Sequence, residues 1–109
     1  MIRSDVIRGH LDSIILRLIL EKDRYGYEIS KEISARTKNR FLVKEATLYA
    51  VFQRLEKKAL ISSYFGTVSQ GGKRKYYRIT DVGKKYLNEI GEEWRETKEI
   101  LDLFLEHGS

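Results

Sequence analysis

The sequence contains no cysteine and no proline, and its only histidines are His10 and His107. Without cysteine, the chain forms no disulfide, no thiolate zinc site and no thiol redox centre. Without proline, nothing interrupts long helices. No apolar run approaches the roughly twenty residues of a membrane span, and the first residues carry acids instead of a signal-peptide core. We therefore expect a soluble, cytoplasmic protein with no membrane partner.

Patterns that support catalysis or metal binding are also missing. The sequence has no Ser/His/Asp set, no glycine-rich phosphate loop before a helix and no metal-ligand spacing. The acidic residues Glu92, Glu93, Glu96 and Glu99 cluster on a predicted helix, where charged side chains normally face solvent. The sequence thus predicts neither an enzyme, nor a metal site, nor a cofactor.

Positive charge is confined to one third of the chain. The net charge of the 109 residues is +5, but residues 44–78 hold eight cations against two anions, whereas the rest holds 13 cations and 14 anions. A solvated surface explains many charge runs, but an excess this localised favours a polyanionic partner. A chain this short also buries barely enough surface for one core, so we expect it to oligomerise.

Three helices are predicted in the first half of the chain. Residues 11–20 are apolar around most of the helix, which predicts that its own domain covers one side and a second subunit covers the other. Residues 25–36 form the second helix. In the third, residues 45–58, the apolar residues recur at helical spacing, and the opposite face carries small, polar and basic side chains that suit entry into a DNA major groove.

Two strands and a long helix follow. Residues 61–68 and 73–79 are rich in strand-forming residues, and the glycine turn at 69–72 closes them into a hairpin with Lys73, Arg74 and Lys75 at its tip. Thr80 is the predicted N-cap of the last helix, residues 81–106. Apolar residues there recur every three or four positions. This narrow seam favours an intersubunit helix pair over packing on the helix's own domain. It consists of Leu87, Ile90, Trp94, Thr97, Leu101 and Phe104, of which only Thr97 is polar.

This order of elements predicts a mainly α fold with a β-hairpin wing. The second and third helices form a helix-turn-helix, the third being the recognition helix, and the hairpin is the wing. Residues 1–79 are the predicted winged helix-turn-helix domain. Residues 80–109 are the predicted dimerisation helix, which forms one compact unit with the N-terminal helix. The predicted dimer interface comprises Leu11, Ile15, Leu18, Leu87, Ile90, Trp94, Leu101 and Phe104.

Double-stranded DNA is the expected partner, and two elements carry the candidate contacts. The sequence offers no nearby acidic residue to pair with the three wing cations, so we expect them to contact DNA phosphates. Arg54 contacts DNA or pairs with Glu56 or another neighbour. Tyr25 donates to a phosphate or serves as a core ring. The full set of DNA-binding candidates is Tyr25, Lys44, Thr47, Tyr49, Gln53, Arg54, Lys73, Arg74 and Lys75.

Three stretches of the sequence resemble PadR-type transcriptional regulators. They are GHL through LRLILEKDRYGYEI, then EATLYAVFQRLEKKALISSY, and the hairpin GGKRKYYRIT followed by DVG. The resemblance covers about residues 8–107. It implies a homodimeric repressor-type regulator with a winged-helix domain, whose C-terminal helix packs against the first helix of the other subunit. The single short final helix resembles the subfamily that includes multidrug-responsive repressors.

A site for a small planar aromatic effector is implied by the same resemblance. Trp94 resembles the tryptophan that faces the drug site in those repressors, and Lys98 and Leu101 lie on the same stripe of the helix. Gly91 is smaller than the bulky residue expected one turn before Trp94. From the residues alone, Trp94 is better explained as an apolar contact between subunits. A winged helix that binds only proteins is the alternative function, and the cationic wing argues against it.

Overall fold

The protein is described from a computed structural model, which defines residues 6–7, 9–66 and 72–106. Residues 1–5 and 8, the end of the predicted strand at 67–68, the predicted turn at 69–71 and residues 107–109 lie outside these ranges. The elements, in chain order, are helix α1 (Leu11–Glu21), strand β1 (Arg24–Tyr25), helices α2 (Gly26–Arg36) and α3 (Glu45–Lys57), strands β2 (Ile61–Phe65) and β3 (Lys75–Ile79), and helix α4 (Asp81–Leu105). The predicted winged-helix class is confirmed.

The sheet has one strand more than the sequence predicted. Strand β1 pairs antiparallel with β3 and places Tyr25 opposite Tyr76, so the sheet order is β1-β3-β2. The sequence predicts Tyr25 within the second helix, but this helix begins at Gly26. Two residues are too few to show strand periodicity, and this strand depends on pairing with a segment about fifty positions away. The other helix ends agree with the prediction to within one residue.

The core surrounds α1. Five residues of this helix are buried, and α2, α3, β3 and α4 of the same chain all contact it. Leu11, Ile15 and Leu18 are at most 3% exposed, so they offer no surface to a second subunit. This corrects their assignment to the dimer interface. A wide apolar face shows that a helix is covered, but not which chain covers it.

A charged cluster joins the end of α1 to β1 and α2. The buried Arg24 donates through Nε to the Leu18 carbonyl oxygen at 2.8 Å and through Nη2 to Glu21 Oε1 at 3.0 Å. Arg36 of α2 donates to both oxygens of the same carboxylate, at 2.9 and 2.6 Å. These hydrogen bonds, chiefly that of Arg36, hold the pKa of Glu21 at about 2. The cluster therefore fixes α2 against α1.

Helix α4 begins against the connection between α3 and β2. Thr80 Oγ1 accepts from the Gly83 N–H at 2.9 Å, which confirms the predicted N-cap. A Cβ atom on Gly83 would lie 2.1 Å from the Leu60 carbonyl oxygen, so only glycine permits this approach. Further along, Tyr86 and Leu87 pack on the core. Residues 92–105 are exposed, apart from the half-buried Asp102, so the second half of α4 extends away from the rest of the chain.

No helix in the described ranges is both long and apolar enough to cross a membrane.

Candidate functional site

Helix α3 buries one face and leaves the other in solvent. Leu48, Val51, Phe52 and Leu55 are buried, as the spacing predicted. On the opposite side Gln53 is exposed and Thr47 is half-buried. Small and polar side chains on an uncovered helix face can approach the edges of bases in a major groove.

The ends of α3 carry the other predicted contacts of this helix. Lys44 is the N-cap residue, and its side chain, which has no acceptor atom, makes no capping hydrogen bond. The side chain is exposed. Tyr49 Oη donates to Glu45 Oε1 at 3.3 Å, and its ring packs edge-on against Phe52. Burial, together with the Glu45 carboxylate, raises the pKa of Tyr49. The neutral hydroxyl is therefore a hydrogen-bond donor at physiological pH.

Arg54 is ion-paired within the chain. Its Nε and Nη2 donate to the two carboxylate oxygens of Asp12 on α1, and this hydrogen bonding raises the pKa of Arg54. The sequence had named Glu56 as the alternative partner, but Glu56 instead accepts from Ser63 Oγ at 2.9 Å and pairs with Lys75. The guanidinium of Arg54 thus links α3 to α1.

The wing cations were expected to have no structural partner, and that expectation is wrong for two of the three. Lys75 Nζ lies 3.9 Å from Glu56 Oε1 on α3. The Arg74 guanidinium carbon lies 4.6 Å from the centre of the Tyr25 ring. Lys73 is exposed and has no ion pair with a described residue. These contacts place the base of the wing directly beside α3 and the start of α2.

Tyr25 occupies the junction between β1 and α2. Its backbone N–H donates to Glu28 Oε1 at 3.2 Å, which caps the first turn of α2. Its half-buried ring lies edge-on to Tyr76, with the ring centres 5.5 Å apart. The Arg74 guanidinium occupies one face of this ring. The sequence around Arg74 did not predict this contact.

A separate groove lies between α1 and the first half of α4. It has a volume of about 590 Å³. Trp94 forms part of its wall, is 49% exposed and lies edge-on to His10, with 5.5 Å between ring centres. A Cβ atom on Gly91 would meet nothing within 4 Å, so this glycine leaves the groove open. Arg17 and Leu20 from α1 and Leu87 and Ile90 from α4 also line it.

Lys98 and Leu101 do not line this groove, so the effector site that they were predicted to share with Trp94 stays a prediction for these two residues. Lys98 Nζ lies 3.0 Å from Asp102 Oδ2. The groove forms only where α1 flanks α4, and both residues lie beyond that overlap. They belong instead to the exposed apolar end of α4, whose large apolar residues are Ile100, Leu101, Leu103, Phe104 and Leu105.

The residues that hold these groups in place were not predicted from the sequence. Asp12 fixes Arg54, and Glu56 binds Lys75. On the groove side, His10, which precedes α1, and Arg17 of α1 were not predicted either. Asp12 is the single acidic residue at the start of an apolar helix, and this was the one local feature that could have indicated a partner for Arg54. The others depend on contacts between segments that are distant in sequence.

Comparison with known proteins assigns the fold to a family. The family model described as the transcriptional regulator PadR-like family matches residues 15–89. A protein of Lysinibacillus sphaericus is 76% identical over 106 residues, 97% of each chain. The structure of a transcriptional regulator from Clostridium thermocellum is 50% identical, with a TM-score of 0.87 over 96% of this chain and 99% of that one.

A PadR family transcription regulator from Clostridium difficile is 42% identical, with a TM-score of 0.79 over 89% of this chain and 99% of that one. Three findings agree with the geometry of α3 and the wing. They are the match of the family model, the fold, and the identity to these relatives. The chain therefore belongs to the PadR-like family of transcriptional regulators, in which a winged helix binds DNA.

Proposed function

We propose that the protein is a homodimeric, sequence-specific DNA-binding repressor, relieved by a small planar aromatic effector. One observation carries the DNA-binding part of this proposal. Lys75 reaches Glu56 of α3 and Arg74 packs on Tyr25 at the start of α2, so the wing cations and the exposed face of α3 belong to one continuous surface. A helix suited to a major groove, flanked by cations suited to phosphates, matches duplex DNA.

The residues of this surface divide into two roles. Gln53, on the uncovered face of α3, and Thr47, half-buried at the edge of that face, are the candidates for base edges. The phosphate candidates lie around them and supply most of the affinity. They are Lys44, Tyr49, Lys73, Arg74 and Lys75.

The exposed apolar residues at the C-terminal end of α4 support the proposed dimer. Leu101 is 44% exposed and Phe104 is 71% exposed, on a helix half that has no cover from its own chain. Burying such side chains is worth about 1.5 kcal/mol or more for each large apolar residue. A second copy of α4, together with the exposed Leu20 of α1, supplies that cover. Residues 80–109 then act as the dimerisation helix and set the spacing of the two recognition helices.

The effector site is proposed in the groove beside Trp94. An open volume of about 590 Å³ falls in the range of small-molecule sites. The half-exposed indole offers a face for stacking on flat rings. Because the groove lies between the proposed dimer helix and α1, a bound ligand can favour one spacing of the two subunits. Such a difference in affinity between two states is what regulation requires.

The direct test is the binding of a fluorescein-labelled duplex from the region upstream of the protein's own gene, measured by anisotropy at several salt concentrations. We expect binding that is tighter than to a scrambled duplex of equal length and that weakens steeply with salt. Equal binding to both duplexes would remove the sequence-specific part of the proposal. Failure to bind either would remove DNA binding and leave the alternative, a winged helix that binds only proteins.

A further inference from the structure

Three tyrosines form a continuous row on the outer face of the sheet. Tyr25 and Tyr64 are both cross-strand partners of Tyr76, so the three side chains share one face. The rings of Tyr64 and Tyr76 stack with 5.7 Å between centres and 16° between planes, and Tyr25 lies edge-on to Tyr76. We call these three residues the tyrosine ladder.

The backbone is adapted to hold the ladder. A Cβ atom on Gly66 would lie 2.6 Å from Cε2 of the Tyr76 ring, so only glycine leaves room for the ring in this position. The Gly66 N–H donates to the Arg74 carbonyl oxygen at 2.8 Å, which ties the two sides of the wing together beside the ladder. The central ring is therefore fixed from both the sheet and the wing.

An arginine lies over each end of the ladder, but the two arginines differ in their charge environment. Arg78 lies 4.9 Å from the Tyr64 ring centre, and its Nε donates to Asp23 Oδ2 at 3.4 Å. Asp23 therefore neutralises Arg78. Arg74 lies over Tyr25 and makes no ion pair with a carboxylate of the described residues. A neutral ring thus orients Arg74 without cancelling its charge.

We propose that Tyr25 is a positioning residue for DNA binding, whose ring, fixed by Tyr76 and Tyr64, orients the Arg74 guanidinium toward a DNA phosphate. This inference rests on the proposed DNA-binding function. It differs from both roles that the sequence left open for Tyr25, a phosphate contact by its hydroxyl and a core ring. The two roles of Tyr25 depend on different groups: positioning of Arg74 needs the aromatic ring, and a phosphate contact needs the hydroxyl.

Replacing Tyr25 with Phe or with Leu separates these roles. Tyr25→Phe keeps the ring, so we expect its affinity for the duplex to stay within about twofold of wild type. Tyr25→Leu removes the ring under Arg74, and loss of an exposed cation–π contact corresponds to about two- to fivefold weaker binding. Its salt slope should fall toward that of Arg74→Ala, because a freed Arg74 is no longer held at its phosphate.

A double variant shows whether the effect passes through Arg74. In the Arg74→Ala background, Tyr25→Leu should cause no further loss of affinity. Equal losses for Tyr25→Phe and Tyr25→Leu would overturn the proposal in favour of a hydroxyl contact. Additive losses, or an unchanged salt slope in Tyr25→Leu, would show that Tyr25 only supports the fold.

Arg74→Lys provides an independent test if Tyr25→Leu does not fold. Lysine keeps the charge but loses the planar group that stacks on the ring. We expect about threefold weaker binding for Arg74→Lys, and wild-type affinity would overturn the proposal. If the wild-type protein itself binds no duplex, the proposed function fails, and this outcome is distinct from every result with the variants.

Discussion

Arg54 of the recognition helix and Asp12 of α1 form a two-pronged ion pair across 42 positions of sequence, with 3.3 Å between Arg54 Nε and Asp12 Oδ2. Arg54 lies beside the side of α3 that we propose to face DNA, and Asp12 lies between His10 and Ser13, which line the groove of Trp94. The pair therefore connects the proposed DNA surface with the proposed effector groove.

Because this pair fixes α3 against α1, we expect Asp12→Asn and Arg54→Gln to have matching effects. Both side chains are partly exposed, so each variant should lose only about 0.5 kcal/mol of unfolding free energy, and the double variant should lose no more. Duplex affinity should fall by about two- to threefold in both. A direct phosphate contact would give a different result in the anisotropy titration: Arg54→Gln would weaken binding, and Asp12→Asn would strengthen it.

The exposed end of α4 gives a prediction about assembly. Leu101→Lys places a charge in the proposed dimer interface, and an unpaired buried charge is strongly destabilising. We expect light scattering to give a dimer for wild type and the 12.8 kDa monomer for the variant. Val82→Lys is the matched control, because Val82 is also an exposed apolar residue of α4 but lies at its other end. A monomeric wild type, or a dimeric Leu101→Lys, would contradict the proposed interface.

Gly91 allows the effector groove to be filled without removing Trp94. Gly91→Leu should place its side chain in the groove and also favour the helix, by about 0.8 kcal/mol in propensity. A flat aromatic dye should quench the single tryptophan of the wild type and lower its duplex affinity. We expect the dye to bind Gly91→Leu at least tenfold more weakly, and Lys98→Ala as tightly as wild type. Undiminished binding to Gly91→Leu would place the dye elsewhere.

The charged cluster at Glu21 predicts a specific pH dependence of stability. Hydrogen bonds from Arg36 and Arg24 hold the pKa of Glu21 at about 2, below its ordinary value of 4.5. The stabilisation is therefore complete above pH 4.5 and is lost as the pH falls toward 2. In urea unfolding, Glu21→Gln should be less stable than wild type at pH 6, and the difference should shrink at pH 3. Glu92→Gln, which removes an exposed glutamate of α4 outside this cluster, is the matched control for the loss of one carboxylate.

Much of this fold could be predicted from the sequence because periodicity is a local property. The spacing of Leu48, Val51 and Leu55 identified the buried face of α3, and Thr80 marked the start of α4. Periodicity does not show whether the same chain or a second subunit covers an apolar face. Leu11 and Ile15 were predicted to be covered by a second subunit, but their own chain buries them.

The site was less predictable, because its geometry depends on contacts between distant segments. Nothing near Arg74 in the sequence indicated that Tyr25, 49 positions earlier, would lie beneath it. The apolar residues of α4 also gave no indication of where α1 stops packing beside this helix. For this reason the sequence predicted that Lys98 and Leu101 share a site with Trp94. The residue types of the DNA surface could be predicted, but the partners that orient them could not.

The most direct test of DNA binding by α3 and the wing is the salt dependence of duplex affinity for the wing variant Lys73→Ala/Arg74→Ala/Lys75→Ala. We expect weaker binding to every duplex and a slope of log K against log salt that is shallower by about 0.9 for each lost phosphate contact. Lys73→Ala alone should lower the slope, whereas Lys85→Ala, which removes an exposed lysine of α4, should not. A triple variant with the wild-type slope would contradict the account.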